Sequence, residues 1–343
     1  MNLGIFLSPG DSLAKQKQSG QLDRLNKYYL SAYAKYFNRI YLFSYGDNGR
    51  FFALPRNVKL IPKPKLIPNY IYQLIAPFIH RKIIKTIAVF RVFQAPGGLP
   101  AVISKIFFKK PYLVSNNYNY VYFAKIERRP ILAKLLDLIV PLVLQHAHKI
   151  ITPSLLPNGV DPLVFKPNQS QQEKYLVLSV GRLVRQKNYE LLIKVISLSR
   201  FKNKIRLVIV GTGSLQPQLE KLAKAVGVNL KFIPNQPYQQ LLNWYQKATV
   251  FCLTSRIEGQ SKVLLEAMSC SCACLTTPFI GNVTENNITG LIGTNVKQLA
   301  GQLDRLLSDP DLNQTLGRQA RQLVIKQFDL KKLVQKEIKL LQS

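Results

Sequence analysis

Short apolar segments typical of β-strands alternate with segments of helical periodicity along both halves of this chain. This alternation is typical of parallel sheets whose strands are connected by helices. In the first half the predicted strands cover residues 3–7, 39–44, 89–94, 112–115 and 149–152. Helical patterns lie between them, for example at 20–37 and 99–107. The segment 56–85 is rich in Pro, Lys and Tyr, and we interpret it as a basic surface insertion.

A cluster of Pro, Asn and Gly between Pro157 and Pro167 marks a linker. After it, the predicted strands are 175–180, 205–210, 230–233, 250–253 and 273–276, and the predicted helices include 189–198 and 215–226. A chain of 343 residues is long enough for two cores. We therefore predict an α/β protein with two Rossmann-like domains, 1–156 and 157–325, facing a central cleft that receives ligands. The basic amphipathic tail, 326–343, is expected to pack back toward the N-terminal domain.

Positive charge dominates the composition, with 48 Lys and Arg against 17 Asp and Glu and a net charge of +31. Such an excess favours phosphorylated substrates, nucleic acid or an acidic membrane surface, and charge alone does not choose among them. The first residues lack the basic and long apolar regions of a secretory signal. The apolar stretch 131–144 is too short to span a bilayer. We expect a cytoplasmic protein, soluble or peripheral on the inner face of the membrane.

All four cysteines fall between Cys252 and Cys274, which is no disulfide framework. The alternation of Cys270, Cys272 and Cys274 leaves a thiolate metal site open. No histidine accompanies them at zinc spacing, and small side chains on a buried strand explain the pattern better. Asp309-Pro-Asp311, the only Asp-x-Asp motif, is interpreted as a helix boundary. No metal site is predicted.

Three turns in the second half follow predicted strands and precede helices, where backbone amides gather to bind phosphate. The first contains Gly181, Arg182 and Lys187, whose two cations suit a diphosphate. On its own, this turn would be explained better as a solvated loop in a basic protein. The second contains Gly211 and Gly213 but lacks the third glycine of the dinucleotide fingerprint, so it is weak evidence for NAD or FAD.

The third turn is the most informative. Ser261 is a predicted N-cap for the following helix, which would direct the amides of 259–261 into the cleft. Glu258 lies on the loop before them, and Glu266 lies one to two turns into the helix. Carboxylates accept hydrogen bonds from hydroxyls, so this order suits a sugar, a diphosphate and a ribose in series. The apolar neighbours of Glu266 disfavour the alternative, an exposed helix position.

These motifs, taken in order over residues 157–292, resemble those of the retaining glycosyltransferases of family 4, which have the GT-B fold. The matching segments are Asn158-Gly-Val-Asp161, Val180-Gly-Arg-Leu183 with Lys187, Ile209-Val-Gly-Thr-Gly213, and the pair Glu258 and Glu266 with seven residues between. The resemblance implies metal-independent transfer of a hexose from a UDP- or GDP-sugar to a glycan or lipid-linked acceptor. It further implies a role in cell-surface polysaccharide or glycolipid synthesis, with the nucleotide-sugar as substrate and no cofactor.

Carried over to the matching positions, the resemblance makes Glu258, Arg182 and Lys187 the catalytic set. Arg182 and Lys187 would bind the diphosphate, Glu258 the donor sugar and Glu266 the ribose. The other donor-binding positions are Gly181, Gly211, Gly213, Asn235, Gly259, Gln260, Ser261 and Glu285. Nothing in the loop that holds Asn235 separates uracil from guanine.

The N-terminal half resembles the family more loosely. Gly20 and Gln21 correspond to the family's glycine loop facing the reaction centre, and Asn116 is a third acceptor-side position. Where the family often has a histidine, this chain has Ser115-Asn-Asn-Tyr118. A catalytically impaired homologue therefore stays open, as does a sugar-nucleotide epimerase of the same fold.

Two further alternatives concern the positive charge. A nucleic-acid-binding protein would explain the charge but not the ordered glycine and glutamate motifs, so no nucleic acid is expected as a partner. The lysines and arginines of 59–85, near Tyr70, Tyr72 and Phe78, suit an anionic membrane that holds the acceptor. A solvated basic face explains them equally well.

Overall fold

The computed structural model describes residues 1–50 and 52–343. The chain divides into two units, Met1–Pro157 together with Lys331–Ser343, and Asn158–Leu330. Each unit is built on one six-stranded sheet in which the strands are parallel. The prediction of two Rossmann-like α/β domains is therefore confirmed.

The sheet of the first unit has the order β3-β2-β1-β4-β5-β6. Its strands are β1 Asn2–Phe6, β2 Arg39–Ser44, β3 Val58–Pro62, β4 Val89–Val92, β5 Tyr112–Ser115 and β6 Lys149–Ile151. Parallel strands are covered on both faces, so their apolar residues run almost without interruption. In β1, for example, Leu3, Ile5 and Phe6 are all buried. The strand order reverses between β1 and β4, where open α/β sheets place their ligands.

Helices cover both faces of this sheet. They are α1 Leu13–Gln18, α2 Leu22–Arg24, α3 Ser31–Tyr33, α4 Asn69–Ile79, α5 Arg81–Thr86, α6 Leu99–Phe108, α7 Tyr120–Ile126 and α8 Pro130–Gln145. A π-helical turn, Leu25–Leu30, joins α2 to α3. Right-handed crossovers place α4 to α8 on one face and α1 to α3 on the other. Within 1–50 and 52–343, no helix has the length and apolar character needed to cross a membrane.

The helix predicted at 20–37 is present from Leu22 to Tyr33, but it contains a π-helical turn, because nothing local in the sequence distinguishes the two hydrogen-bond patterns. One sequence interpretation in this unit is wrong. The expected insertion at 56–85 instead supplies the edge strand β3 and the helices α4 and α5. Only a narrow side of α4, which includes Tyr72 and Ala76, is buried. The helical periodicity of α4 is therefore weak in a segment rich in Pro and Lys, and the sequence did not predict the helix.

The sheet of the second unit has the order β12-β11-β10-β7-β8-β9. Its strands are β7 Leu176–Val180, β8 Arg206–Val210, β9 Leu230–Ile233, β10 Val250–Leu253, β11 Ala273–Thr276 and β12 Leu291–Ile292. Its helices are α9 Tyr189–Leu198, α10 Gln216–Ala225, α11 Tyr238–Lys247, α12 Lys262–Ser269, α13 Val296–Ser308 and α14 Pro310–Gln327. The strands and helices predicted in this half correspond to β7–β11 and to α9 and α10.

The C-terminal helix α15, Leu330–Gln342, is attached to the first unit by a buried ion pair. Glu337 accepts a short hydrogen bond from Arg91 of β4, and the hydroxyl of Tyr33 donates to the same carboxylate oxygen at 2.8 Å. Burial is the largest single influence on Arg91 and would lower its pKa, but the Glu337 carboxylate, together with Tyr33 and Tyr29, outweighs burial and the pKa is raised. The pair therefore stays charged and holds α15 in one register against the sheet.

Candidate functional site

Three turns at the carboxyl ends of β7, β8 and β10 lie against one another. The amide of Leu183 in the first turn donates to the carbonyl of Thr212 in the second at 2.9 Å. The third turn joins the first through the amide of Arg256, which donates to the carbonyl of Gln186 at 2.8 Å. The side-chain amide of Gln186 donates in return to the carbonyl of Ile257 at 2.8 Å. The three turns expected to bind phosphate thus form one hydrogen-bonded cluster.

Glycine is required where these turns touch. A Cβ atom added at Gly211, whose φ is +152°, would lie 2.0 Å from the carbonyl oxygen of Gly181. In the loop after β11, which packs on the third turn, a Cβ added at Gly281, whose φ is +81°, would lie 2.3 Å from the carbonyl oxygen of Gly259. Backbone atoms cannot turn aside as a flexible side chain can, so any other residue would push the turns apart.

Lys187 and Glu258 form an ion pair at the centre of the cluster. The Lys187 Nζ lies 2.5 Å from Glu258 Oε1, and the two side chains are 11% and 10% exposed. The hydroxyl of Ser255 donates to the same oxygen at 2.8 Å. An ammonium group has three donors, so Lys187 can hold Glu258 and still donate to a phosphate oxygen. Two of the predicted catalytic residues are therefore in direct contact.

The turn 259–261 leads directly into α12. Asn158, from the predicted linker, fixes this turn because its side-chain amide donates to the carbonyl of Gln260 at 2.8 Å and its backbone amide donates to Gln260 Oε1. Ser261 stands at the expected N-cap position, but among the described residues its hydroxyl accepts no hydrogen bond from the helix amides. The first amides of α12 are therefore not satisfied by this cap, which keeps the helix N-terminus suited to an anion.

Glu266 is buried and held by a tyrosine. The hydroxyl of Tyr245, in α11, donates to Glu266 Oε2 at 2.9 Å, and both residues are buried. Burial and the neighbouring Glu266 carboxylate raise the pKa of Tyr245, so the phenol stays protonated and serves as a donor. The exposed position weighed for Glu266 in the sequence analysis does not occur.

Three other predicted donor residues surround this cluster in the second unit. Arg182 is exposed on the first turn. Asn235 is exposed after β9, and its side-chain amide donates to the hydroxyl of Thr212 at 3.3 Å. Glu285 is exposed after β11, and its backbone amide donates to the hydroxyl of Thr289 at 2.8 Å. Their side chains are therefore accessible to a ligand.

The predicted acceptor-side residues belong to the first unit. Gly20 follows α1 with a φ of +71°, and the exposed Gln21 comes directly after it. Asn116 is half-buried at the carboxyl end of β5, where its amide donates to the carbonyl of Ile151 at 2.9 Å. This backbone bond extends the pairing of β5 with β6 and leaves the Asn116 side chain available.

Sequence reasoning did not single out three residues that organise the cluster, namely Gln186, Ser255 and Tyr245. Ser255 belongs to the third turn and lies three residues before Glu258, so a contact between them could have been predicted from the sequence. Gln186 and Tyr245 carry no motif signal, because their contacts join segments that are 71 and 21 residues apart.

The cysteines are structural. Cys270, Cys272 and Cys274 are all buried, at the end of α12 and along the start of β11. Burial raises the pKa of Cys272 to about 12, which disfavours the thiolate that a metal would need. In the part of the chain that the structure describes, no group of three or more His, Cys, Asp and Glu residues is arranged to hold a metal ion.

Comparison with known proteins gives this arrangement a context. Residues 161–323 match the family model described as Glycosyl transferases group 1. This range includes the three turns together with Lys187, Glu258 and Glu266. The second unit is similar to group 1 glycosyl transferases.

Two curated relatives illustrate the range of this similarity. A Campylobacter jejuni protein, N-acetylgalactosamine-N,N'-diacetylbacillosaminyl-diphospho-undecaprenol 4-alpha-N-acetylgalactosaminyltransferase, is 32% identical over 174 residues, which cover 48% of this chain and 46% of the relative. A Corynebacterium glutamicum protein, GDP-mannose-dependent monoacylated alpha-(1-6)-phosphatidylinositol monomannoside mannosyltransferase, is 29% identical over 189 residues, which cover 48% and 50%. The chain spans about half the length of the curated relatives it matches.

Solved structures are similar over the whole chain. Sucrose-phosphate synthase from Thermosynechococcus elongatus has a TM-score of 0.79 at 17% identity and covers 99% of this chain and 98% of that one. The Anabaena protein HepE, in complex with UDP and glucose, has a TM-score of 0.71 at 14% identity and covers 100% and 99%. At these identities the likeness establishes the fold. The predicted GT-B fold is confirmed.

Proposed function

We propose that this chain is a metal-independent, retaining hexosyltransferase of family 4. It transfers a sugar from a UDP- or GDP-sugar to a glycan or lipid-linked acceptor in cell-surface polysaccharide or glycolipid synthesis. The ion pair between Lys187 and Glu258, enclosed by three hydrogen-bonded turns, is the observation that carries this proposal. Support comes from the group 1 glycosyl transferase match, which covers the whole cluster.

In this proposal the cluster holds the donor in the order of its chemical parts. Arg182, Lys187 and the amides of 259–261 bind the diphosphate at the start of α12, where the helix dipole favours negative charge. Glu258 accepts hydrogen bonds from the sugar hydroxyls. Glu266, oriented by Tyr245, accepts them from the ribose. Asn235 lies beside the base, and Glu285 completes the sugar pocket.

The proposed reaction requires that the acceptor be positioned at the anomeric carbon and that the negative charge of the leaving diphosphate be stabilised. The bond between the anomeric carbon and the diphosphate oxygen breaks, and the acceptor oxygen forms its bond on the face that the diphosphate leaves. The acceptor proton passes to the departing diphosphate. Negative charge that develops on this leaving group is stabilised by Arg182, Lys187 and the backbone amides, which act in place of a bound metal. The acceptor binds to the first unit near Gly20, Gln21 and Asn116.

The names of similar proteins support a lipid-linked acceptor without choosing the donor. The Campylobacter jejuni relative is named for a diphospho-undecaprenol substrate, and the Corynebacterium glutamicum relative for GDP-mannose and a phosphatidylinositol mannoside. HepE was solved with UDP and glucose. Both UDP- and GDP-sugars therefore belong in any donor survey.

An exposed apolar surface on the first unit supports a peripheral position at the membrane. Tyr70, Leu74 and Phe78 of α4 are exposed, and the Phe78 ring contacts Phe107 of α6 at a centroid distance of 5.1 Å. Phe107 itself is 63% exposed. The basic residues close to this patch in sequence are Lys65, Arg81, Lys82, Lys109 and Lys110. Exposed apolar side chains bordered by cations suit the interface of an anionic bilayer.

Helix α8 extends this surface. Ile131, Leu135, Leu138 and Leu142 follow one another at helical spacing along one side of the helix, and all four are exposed, Ile131 by 84%. Because α8 lies in the same helical layer as α4 and α6, its apolar stripe faces away from the same side of the sheet. A solvated basic face would explain the lysines but not these apolar residues. We therefore place the protein on the cytoplasmic face of an anionic membrane.

A donor survey tests the proposed activity. The purified chain is incubated with UDP- and GDP-sugars in the presence of membrane extract, with and without EDTA, and free nucleotide is measured. We expect release with one donor class, dependent on the extract and unchanged by EDTA. Release that EDTA abolishes would contradict metal independence. Conversion of the sugar without release of nucleotide would indicate an epimerase, and no reaction together with salt-sensitive nucleic-acid binding would overturn the transferase assignment.

A further inference from the structure

A buried guanidinium connects α15 to the carboxyl ends of two neighbouring strands in the first unit. Arg91 lies in β4, and its Nε donates to Glu337 of α15. Its two other nitrogens donate at 2.6 Å to the carbonyl of Val92 and at 2.7 Å to the hydroxyl of Ser115, the last residue of β5. All three nitrogens of this planar group are therefore hydrogen bonded in fixed directions.

The register of the sheet explains why Arg91 reaches Ser115. Arg91 pairs with Leu113 across β4 and β5, and Ser115 lies two residues further along β5. Because side chains alternate between the two faces of a strand, Leu113 and Ser115 point to the same face as Arg91. The guanidinium therefore extends along this face toward the carboxyl edge of the sheet, which is the edge where open α/β sheets bind ligands.

The same guanidinium supports the end of β4. Its central carbon lies 4.7 Å from the centroid of the Phe93 ring, in the residue directly after β4. Tyr29, in the π-helical turn between α2 and α3, contacts the Phe93 ring edge-on at a centroid distance of 5.4 Å. The chain continues from Phe93 into the exposed Gln94, and from Ser115 into the half-buried Asn116. Two strand ends that lead into amide side chains thus rest on one buried group.

Stability of the fold does not by itself explain this arrangement. Burial removes the charges of Arg91 and Glu337 from water, and well-packed apolar residues often hold a helix on a sheet equally well. A charged and hydrogen-bonded pair adds what apolar packing lacks, because it fixes the direction in which the remaining nitrogens donate. Here one of those nitrogens is directed at the Ser115 hydroxyl. The pair therefore controls the position of a strand end as well as the position of α15.

We propose that Arg91 and Glu337 are positioning residues for the acceptor. They hold Ser115, and through the backbone Asn116, at the carboxyl edge of the first sheet. The inference rests on the function proposed above, in which the acceptor binds near Asn116. Arg91 and Glu337 are both 3% exposed, so they act through Ser115 and not by touching the acceptor. Loss of this connection should weaken acceptor binding and leave the donor cluster of the second unit intact.

Acceptor kinetics of Ser115→Ala test the proposal. This variant removes the hydroxyl that Arg91 binds and keeps the buried ion pair. The matched control is Ser104→Ala, because Ser104 is fully buried in α6 and its hydroxyl donates to the carbonyl of Pro100 at 2.7 Å. Each variant thus loses one buried serine hydroxyl of the first unit, but only Ser115 adjoins the proposed acceptor position.

The native chain and both variants receive radiolabelled UDP- or GDP-sugar and increasing amounts of membrane extract, and sugar transfer is measured. We expect Ser115→Ala to need about fivefold more extract for half of its maximal rate, which corresponds to the loss of one buried hydrogen bond. Its maximal rate, and its calorimetric affinity for UDP and GDP, should stay close to the native values. Ser104→Ala should match the native chain in all three measurements.

Two further variants separate positioning from general destabilisation. Ser115→Thr keeps the hydroxyl and should restore the native half-saturating amount of extract. Arg91→Lys keeps the charge but offers a single nitrogen, so it should raise this amount, and adding Ser115→Ala to it should cause no further rise. An unchanged half-saturating amount in Ser115→Ala, or an equal rise in Ser104→Ala, would overturn this proposal alone. No transfer by the native chain from any donor would overturn the proposed function and this proposal with it.

Discussion

Lys187 donates to Glu258 across 2.5 Å, although the two residues are 71 positions apart and come from different turns. Each side chain is about nine-tenths buried, so each charge depends on the other for compensation. The contact also fixes the distance between the residue proposed to hold the diphosphate and the one proposed to hold the sugar. The pair thus connects the stability of the second unit to its proposed activity.

This coupling predicts a specific pattern of stabilities. Lys187→Met and Glu258→Gln should each lower the free energy of unfolding by about 3 kcal/mol, because each leaves a largely buried charge or donor without its partner. The double variant should lose clearly less than the sum of the two. The single tryptophan, Trp244, lies in α11 of the second unit, so its fluorescence in a urea titration reports the transition. Additive losses would show that the pair is not an energetic unit.

Tyr245 is predicted to act as a positioning residue for Glu266. Tyr245→Phe removes one hydroxyl and leaves a buried carboxylate with one donor fewer, at a cost of about 1–3 kcal/mol. We expect weaker binding of the donor nucleotide, seen as a raised KM with a smaller change in kcat. The exposed Tyr122 provides the matched control, Tyr122→Phe, which should leave both constants unchanged. An unchanged KM in Tyr245→Phe would remove this residue from the site.

The close backbone approach at Gly211 gives a third prediction. Gly211→Ala places a methyl group where only 2.0 Å separates it from the carbonyl oxygen of Gly181, so the first two turns must move apart. We expect a lower Tm and at least a tenfold loss of nucleotide affinity by calorimetry. Gly301 lies in α13 with open space around its Cα, and Gly301→Ala should raise stability by roughly 0.5–1 kcal/mol without altering binding. Native affinity in Gly211→Ala would mean that the turns do not form the nucleotide site.

The apolar surface of α4, α6 and α8 predicts membrane binding that depends on specific side chains. Leu74→Ser/Phe107→Ser and Leu135→Ser/Leu138→Ser should each reduce cosedimentation with phosphatidylglycerol vesicles at least fivefold, because exposed apolar groups insert into the interface. Leu163→Ser, at an exposed position in the second unit, is the control and should bind as the native chain does. Equal sedimentation of all variants would show that charge alone attracts the protein to the membrane.

The sequence was most informative where function and local structure use the same residues. The close backbone contacts of the three turns require glycine, so Gly211 could be recognised as a turn residue, and Lys187 could be singled out through the family resemblance. The strands of the second unit are short, apolar and separated by turn residues, and they were predicted nearly in full. Both signals are local, so neither requires knowledge of the tertiary contacts.

The remaining features depend on contacts between distant segments. Tyr245 reaches Glu266 only after α11 and α12 have packed on the sheet, and no local sequence pattern indicates that contact. The strand β3 was missed because it is an edge strand with few buried residues among prolines and lysines. The hydrogen bond from Tyr33 to Glu337 joins residues 304 positions apart, so it exists only once α15 has returned to the first unit.

Transfer of labelled sugar to a lipid acceptor tests the central claim most directly. The native chain, Glu258→Gln and the control Glu220→Gln, at an exposed position of α10, are incubated with radiolabelled UDP- and GDP-sugars and membrane extract. Sugar in the lipid-extractable fraction is then counted. We predict incorporation from one donor class by the native chain and by Glu220→Gln, and at least a hundredfold less by folded Glu258→Gln. Full incorporation by Glu258→Gln, or none by the native chain from any donor, would contradict the account.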